Sequence, residues 1–311
     1  MTVFAWARPR AFPRLPEPEA RLIETTPETQ VLAHAYWQPE REGRPTILGL
    51  HGLEGSSSAH YMRGLADKAY RRGWNAVLLN QRTCGGTEHL SPSFYHSGLT
   101  DDPRAVIRAL VAADRIGPVG VVGYSLGGNL CMKLAGELGS TPDLAVAGVT
   151  AISPTTDLDL CVHALERRSN FAYQWNFVRH LKARMRRKAT AWPNRFDLAP
   201  LRRIRTIREF DEEYTAPFHG FAGATDYYHR ASALRVVDRI RIPALVLTAG
   251  DDPFVPVSQF LGPAVQGNAN LAVRVEPHGG HCGFASDPAG DDDGYWAEST
   301  AIAFLASVMP R

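Results

Sequence analysis

The stretch Val119-Gly120-Val121-Val122-Gly123-Tyr124-Ser125-Leu126-Gly127-Gly128-Asn129-Leu130 constrains the fold of this chain more than any other. Its Val-rich start reads as a buried strand. Gly-Tyr-Ser-Leu-Gly reads as a very tight turn, and the residues after it as a helix. Such a turn holds the serine in a strained backbone conformation, so the positions two before and two after Ser125 must lack bulk, and both are glycine. The hydroxyl then stands at the carboxyl end of a strand and the amino end of a helix, where the helix dipole favours developing negative charge. Gly-x-Ser-x-Gly alone also occurs in ordinary turns. The strand before it and the helix after it make it specific to a nucleophilic serine.

The rest of the chain repeats the same strand–helix alternation. Gln30 to Trp37 suggests an edge strand, and Thr46 to Leu50 a buried one. His60 to Arg72 has helical spacing, ended by Gly73. Trp74 to Asn80 is the next strand. Thr100-Asp101-Asp102-Pro103 reads as a helix start, with a capping carboxylate ahead of proline. The elbow, its helix to about Leu138 and a strand over Ala147–Ile152 follow. Units of roughly 25–30 residues imply a mostly parallel sheet with helices on both faces. From about Pro154 to Ala233 no strand-like run occurs, and this part reads as a helical cap inserted between strands. Strands resume at Pro243–Ala249 and Leu271–Val275, and Tyr295–Val308 closes the chain as a helix. The expected organisation is a core over 20–153 and 234–311, a cap over 154–233 and an exposed Pro-rich arm over 1–19.

A serine hydroxyl becomes a good nucleophile when a base takes its proton, and the base is usually a histidine oriented by a carboxylate. Ser125, the pair Asp251/Asp252 and His281 follow successive predicted strands in that order. The Gly279-Gly280 pair lets the chain bend and bring His281 toward the elbow, whereas His278 sits nearer the strand end and suits a structural hydrogen bond. The His-x-x-His spacing lacks helical register and a third ligand run, so no metal is expected. The oxyanion needs two N–H donors. Leu126, directly after the nucleophile, supplies one. The other is assigned to Leu53 in the loop His51-Gly52-Leu53-Glu54-Gly55.

Taken together, several motifs resemble one family. They are His51-Gly52-Leu53-Glu54-Gly55-Ser56, Asn80-Gln81-Arg82-Thr83-Cys84-Gly85-Gly86, Tyr95-His96-Ser97-Gly98, the elbow, Arg208-Glu209-Phe210-Asp211, Asp226-Tyr227-Tyr228, Asp251-Asp252-Pro253-Phe254 and His278-Gly279-Gly280-His281-Cys282-Gly283-Phe284. Over roughly residues 45 to 285 the chain resembles the YheT-like α/β-hydrolases, which group with the ABHD lipid hydrolases. It departs at Thr83, where that family usually has glycine. The resemblance implies an α/β-hydrolase fold and carboxylic ester hydrolysis, with Ser125, Asp252 and His281 as the triad. In this fold the acid lies four residues before a proline; Asp252 precedes Pro256 by four and is favoured, while Asp251 reads as a turn-capping carboxylate. No cofactor is required. The partner expected is a small-molecule acyl ester of short to medium chain. A thioesterase, amidase or acyltransferase would use the same triad, and a non-catalytic binding protein is the alternative of another class. The resemblance gives His96, Tyr227 and Tyr228 no chemistry, and loop and cap packing is their expected use.

Charge and composition narrow the setting. A net charge of +2 on 311 residues, with no binding motif, excludes a nucleic-acid binder on charge grounds. No apolar run approaches the ~18 residues of a membrane span. Cys84, Cys131, Cys161 and Cys282 are scattered and read as free thiols in a reducing cytoplasm. Arg167 to Arg208 holds thirteen Lys or Arg against one acid, Asp197. A solvated helix face is the expectation for such a run. Interleaved with Phe171, Tyr173, Trp175 and Phe177, it also suits peripheral contact with an anionic membrane surface.

Overall fold

The structure, a computed structural model, describes residues 10–139, 144–288, 290 and 292–309. One sheet has the strand order β1-β2-β4-β3-β5-β6-β7-β8. Its strands are β1 (Glu19–Thr26), β2 (Thr29–Tyr36), β3 (Thr46–Leu50), β4 (Asn75–Leu79), β5 (Val119–Tyr124), β6 (Val146–Ile152), β7 (Ala244–Ala249) and β8 (Leu271–Glu276). β1 pairs antiparallel with β2, and β2 with β4; the other pairings are parallel.

Every residue of β3, β4, β5 and β7 is buried, which is why these strands read as continuous apolar runs rather than alternating ones. The helices α1 (His60–Arg71), α2 (Asp101–Asp114), α3 (Leu126–Leu138) and, last in the chain, α7 (Trp296–Val308) cover the sheet. α1 and α7 pack on one face through Met62, Leu65, Ala301 and Leu305. α2 and α3 pack on the other through Val106, Leu110, Leu130 and Leu134. Between β6 and β7 the chain forms α4 (Leu158–Leu165), α5 (Phe171–Ala191), a short helical run from Ile207 to Phe218, and α6 (Ala224–Ala231), with no strand. No described helix is long and apolar enough to cross a membrane.

Three expectations need correcting. The strand near Gln30–Trp37 is not the edge, because β1 lies outside it; β1 buries only one of its eight positions, so its apolar signal is faint. Asp102 does not cap α2. Its carboxylate instead binds the buried Arg82 guanidinium at 2.6 and 2.7 Å, because a buried cation needs a paired acceptor. The arm is not simply exposed. Residues 1–9 lie outside the described residues, but the Arg10 side chain is buried, with Asp293 at 2.5 Å, Glu298 at 2.7 Å and the Tyr295 ring at 3.6 Å.

Candidate active site

At the end of β5, Ser125 adopts φ 54° and ψ −117°, and its N–H donates to Ile152 O on β6 at 2.8 Å. The glycines around it answer to backbone crowding. A Cβ on Gly123 would sit 2.1 Å from Gly127 O, and one on Gly127 would sit 2.4 Å from Leu50 O. A Cβ on Gly52 would press on Ser125 Cβ at 3.2 Å, so the loop after β3 approaches the serine closely only without a side chain there.

The structure brings the separated residues together. His281 Nε2 lies 2.9 Å from Ser125 Oγ, and His281 Nδ1 lies 2.9 Å from Asp252 Oδ2. The Asp252 side chain is fully buried; its other oxygen accepts from the N–H groups of Phe254 (3.1 Å) and Val255 (3.0 Å), which fix its orientation. A carboxylate only accepts, so this network assigns the histidine proton to Nδ1 and leaves Nε2 free to take the serine proton. Burial works against the imidazolium of His281, but its interactions with Cys282 and Asp252 outweigh it and hold its pKa above the usual histidine value. Asp251 points elsewhere. It accepts from Gly279 N (2.9 Å) and Gly280 N (2.7 Å) and pairs with His278 at 3.4 Å, so the two rival residues brace the turn that delivers His281.

The loop assigned to the oxyanion is held by buried polar side chains. His51 Nδ1 sits 2.7 Å from Gly52 O, and Nε2 accepts from Gln81 N at 3.1 Å. The ring is therefore neutral with its proton on Nδ1, and burial lowers its pKa to about 4. Glu54, at φ 56°, donates its N–H to Tyr95 Oη at 2.9 Å. Its carboxylate accepts from Tyr95 at 3.0 Å and from Arg184 Nε at 2.7 Å. Arg184 also donates to Thr83 Oγ1 at 3.2 Å. Thr83 has φ 67°, the left-handed conformation that explains why a glycine would be at ease at this position.

Two cavities meet at Ser125 and share Leu53 and Phe177. The larger, about 220 Å³, is lined by His281, Tyr61, Tyr124, His60, Tyr295 and Glu298 among others. The smaller, about 90 Å³, is mainly apolar, with Leu158, Val162, Leu165, Leu181, Ile207 and Phe254 around it. Leu126 lines only the smaller cavity and His281 only the larger. Asp211 closes the smaller one; burial raises its pKa to about 6, against hydrogen bonds from Thr215 (2.6 Å) and Tyr228 (2.8 Å). Among the described residues no group of three or more His, Cys, Asp or Glu could hold a metal ion.

The basic run on α5 divides in two. Arg184 and Lys188 are buried and bind Glu54 and the carbonyl oxygens of Glu88 and Ser91; Arg187 pairs with Glu88. They anchor the cap and do not form a solvated face. Phe177, Leu181, Arg184, Met185 and Lys188 recur at three- and four-residue intervals on the inward face, and that spacing is the sequence signal that locates Arg184. Tyr227 Oη accepts from Ser97 N at 2.9 Å, and His96 packs against His219 with ring centroids 4.5 Å apart.

A serine on a strand–helix elbow, backed by a buried His–Asp pair and set in an eight-stranded mostly parallel sheet, defines an α/β-hydrolase. The family described as the alpha/beta hydrolase fold matches residues 45–288, and the chain belongs to it. Within that family the chain is YheT-like: it is 36% identical to YheT of Escherichia coli over 79% of this chain and 72% of the relative. It is 30% identical to phospholipase ABHD3 of Mus musculus over 78% of this chain, and this match spans 58% of ABHD3, less than two thirds of that protein. The Pyrococcus furiosus esterase Pf2001 shares the fold, at TM-score 0.61 and 17% identity over 97% of this chain and 99% of that one.

Proposed function

We infer that the protein is a serine carboxylic-ester hydrolase for short- to medium-chain acyl esters. The observation that carries this reading is the hydrogen-bonded series Asp252–His281–Ser125, with both contacts at 2.9 Å and two cavities meeting at the serine. Ser125 Oγ attacks the ester carbonyl as His281 Nε2 takes its proton, and Asp252 stabilises the imidazolium. The N–H groups of Leu53 and Leu126 hold the oxyanion. The ester C–O bond breaks, and His281 returns the proton to the leaving alcohol. Water, deprotonated by His281, then attacks the acyl-enzyme and releases the acid and Ser125. The name of the ABHD3 relative, a phospholipase, supports ester chemistry at this site.

A fluorophosphonate should label the protein covalently at Ser125. Ser125→Ala should abolish labelling and lower kcat/KM for p-nitrophenyl esters by about 10⁴-fold or more. Near-parent turnover by that variant would refute the assignment. Each methylene buried in the smaller cavity is worth ~0.8 kcal/mol, so kcat/KM should rise from acetyl to a short or medium chain and then fall once the cavity is full. A p-nitrophenyl series from two to sixteen carbons measures this, and a flat or falling trend from acetate onward overturns it.

Peripheral contact of the cap with an anionic membrane keeps a narrower basis. The face of α5 turned from the core presents exposed Phe171 and Trp175 beside Arg179, Lys182 and Arg186, and Arg205 lines the same groove. This face is the part of the cap suited to a lipid surface.

A further inference from the structure

The oxyanion donor assigned to Leu53 is held by groups outside the triad. Leu53 and Glu54 are the central residues of a β-turn, closed by Gly55 N–H on Gly52 O at 3.0 Å. Gly52 O and Leu53 N–H belong to one trans peptide unit and point in opposite directions. His51 Nδ1 donates to the same oxygen at 2.7 Å, so fixing that oxygen fixes the direction of the N–H. Among the described residues Leu53 N–H meets no acceptor, which leaves it open to a ligand.

The next peptide unit is held from another segment, the loop between β4 and α2. Glu54 N–H donates to Tyr95 Oη at 2.9 Å, and that hydroxyl donates to Glu54 Oε1 at 3.0 Å. Arg184 Nε donates to the same Oε1 at 2.7 Å. The hydroxyl proton is thus committed to the carboxylate and a lone pair to the N–H. Glu54 has φ 56° while Leu53 keeps a negative φ, the pattern of a type II turn, which favours glycine at the second central position. A glutamate there stays left-handed only because its surroundings hold it. The relaxed alternative is a type I turn, reached by flipping the Leu53–Glu54 peptide unit that Tyr95 binds. Tyr95 also forms a small buried cluster with Cys84 and Leu126, against which Leu53 packs. One cluster therefore backs both residues assigned as oxyanion donors. Tyr95 lines neither cavity, so it acts through the loop and not on the substrate.

We propose that Tyr95 is a positioning residue for the oxyanion hole: its hydroxyl holds the strained turn in the form that lets Leu53 N–H converge with Leu126 N–H. The proposal rests on the ester-hydrolase reading above. It gives a use to a motif, Tyr95-His96-Ser97-Gly98, that the triad leaves unexplained.

Tyr95→Phe keeps the ring and removes the hydroxyl. Oxyanion donors act on the transition state more than on the bound ester. kcat for p-nitrophenyl butanoate should therefore fall about 10- to 100-fold, with KM within about twofold. An alkyl trifluoromethyl ketone forms an adduct with Ser125 that carries an oxyanion, and its affinity should fall by the same factor as kcat/KM. The rising limb of the pH profile should stay in place, because the His281–Asp252 pair is untouched. A folded Tyr95→Phe protein with the parent kcat overturns the proposal. So does a lower kcat with unchanged ketone affinity, which would mark a general loosening of the site. Hydrogen exchange at the Glu54 amide tests the hold in the parent protein without any variant. That amide should exchange about tenfold or more slower than an unbonded loop amide. Exchange at the unbonded rate overturns the proposal even if Tyr95→Phe fails to fold. A parent protein that neither hydrolyses esters nor takes a fluorophosphonate label would instead refute the hydrolase reading, and the proposal with it.

Discussion

The elbow and the cap reach the same serine by different physics. At the elbow, backbone crowding forces the geometry: a Cβ on Gly123 would meet Gly127 four positions on, and one on Gly127 would meet the backbone of Leu50 and His51 at the end of β3. In the cap, the roof is pinned by pairs far apart in sequence. Arg184 meets Glu54 across 130 positions, and Lys188 reaches Ser91 across 97. The elbow is thus fixed by backbone sterics, while the cap is fixed by burying charges that require remote partners. Changes to the reactive side chains the elbow gathers should alter rate far more than stability, and changes to the buried ions of the cap should alter stability first.

The sharpest test of the sheet-borne site is the aspartate pair. Asp252→Asn keeps the size but removes the acceptor that orients His281, and kcat should fall by about 10⁴-fold with the fold retained. Asp251→Asn weakens the bracing of Gly279 and Gly280 and should show mainly as a lower Tm. Steady-state kinetics beside thermal denaturation separates the two. If the effects were exchanged, Asp251 would be the acid.

The same contrast sets what could be read in the chain. The contact of Ser125, His281 and Asp252 was legible because each of the three follows an apolar strand and carries a glycine or aspartate signature close by. The parallel core was legible from its repeating strand–helix units. β1 was not, because an outer strand that buries one position of eight leaves little apolar alternation. Arg10 and Asp102 were misread because the partners that bury them lie 288 and 20 positions away, and no local pattern announces such pairs. Arg184 looked like one more surface cation among thirteen until the inward spacing of α5 set it apart.

Within the cap, Arg184 and Arg186 provide the internal comparison. Arg184→Met leaves Glu54 buried and unpaired and should cost about 3–5 kcal/mol of stability, since breaking a buried pair strands a charge. Arg186 is exposed, and Arg186→Met should stay within about 0.5 kcal/mol. Urea denaturation of both variants decides it. Equal costs would show that Arg184 is no anchor.

A smaller effect tests how the environment of His281 tunes the base. His281 must be neutral at Nε2 to take the serine proton, and its pKa is held up by Cys282 and Asp252 against burial. Activity should therefore rise with pH from neutrality into the alkaline range as the imidazolium deprotonates. Cys282→Ala removes one of the two residues whose interactions hold the value up, so the rising limb of kcat/KM should move to lower pH. A limb that does not move would remove Cys282 from the account.

The smallest effect on chemistry belongs to the outward face of α5. Phe171 and Trp175 are 68% and 55% exposed, and the Arg179 guanidinium lies 5.2 Å from the Trp175 ring, which interleaves aromatic and basic groups as an interfacial helix does. Arg179, Lys182 and Arg186 share this face, and none of them reaches Ser125, because Phe177 and Leu181 on the inward face intervene. Replacing all three by Gln should leave hydrolysis of soluble esters within about twofold and stability nearly unchanged. Each basic residue near an anionic surface is worth about 1 kcal/mol, so binding to phosphatidylserine-containing vesicles should fall at least tenfold. That loss should be mimicked in the parent protein by raising salt, because the Debye length shortens from about 10 Å at 0.1 M to about 3 Å at 1 M. Flotation assays with anionic and neutral vesicles measure both. Equal binding by parent and triple variant would confine the cap to its inward role, as the roof of the smaller cavity.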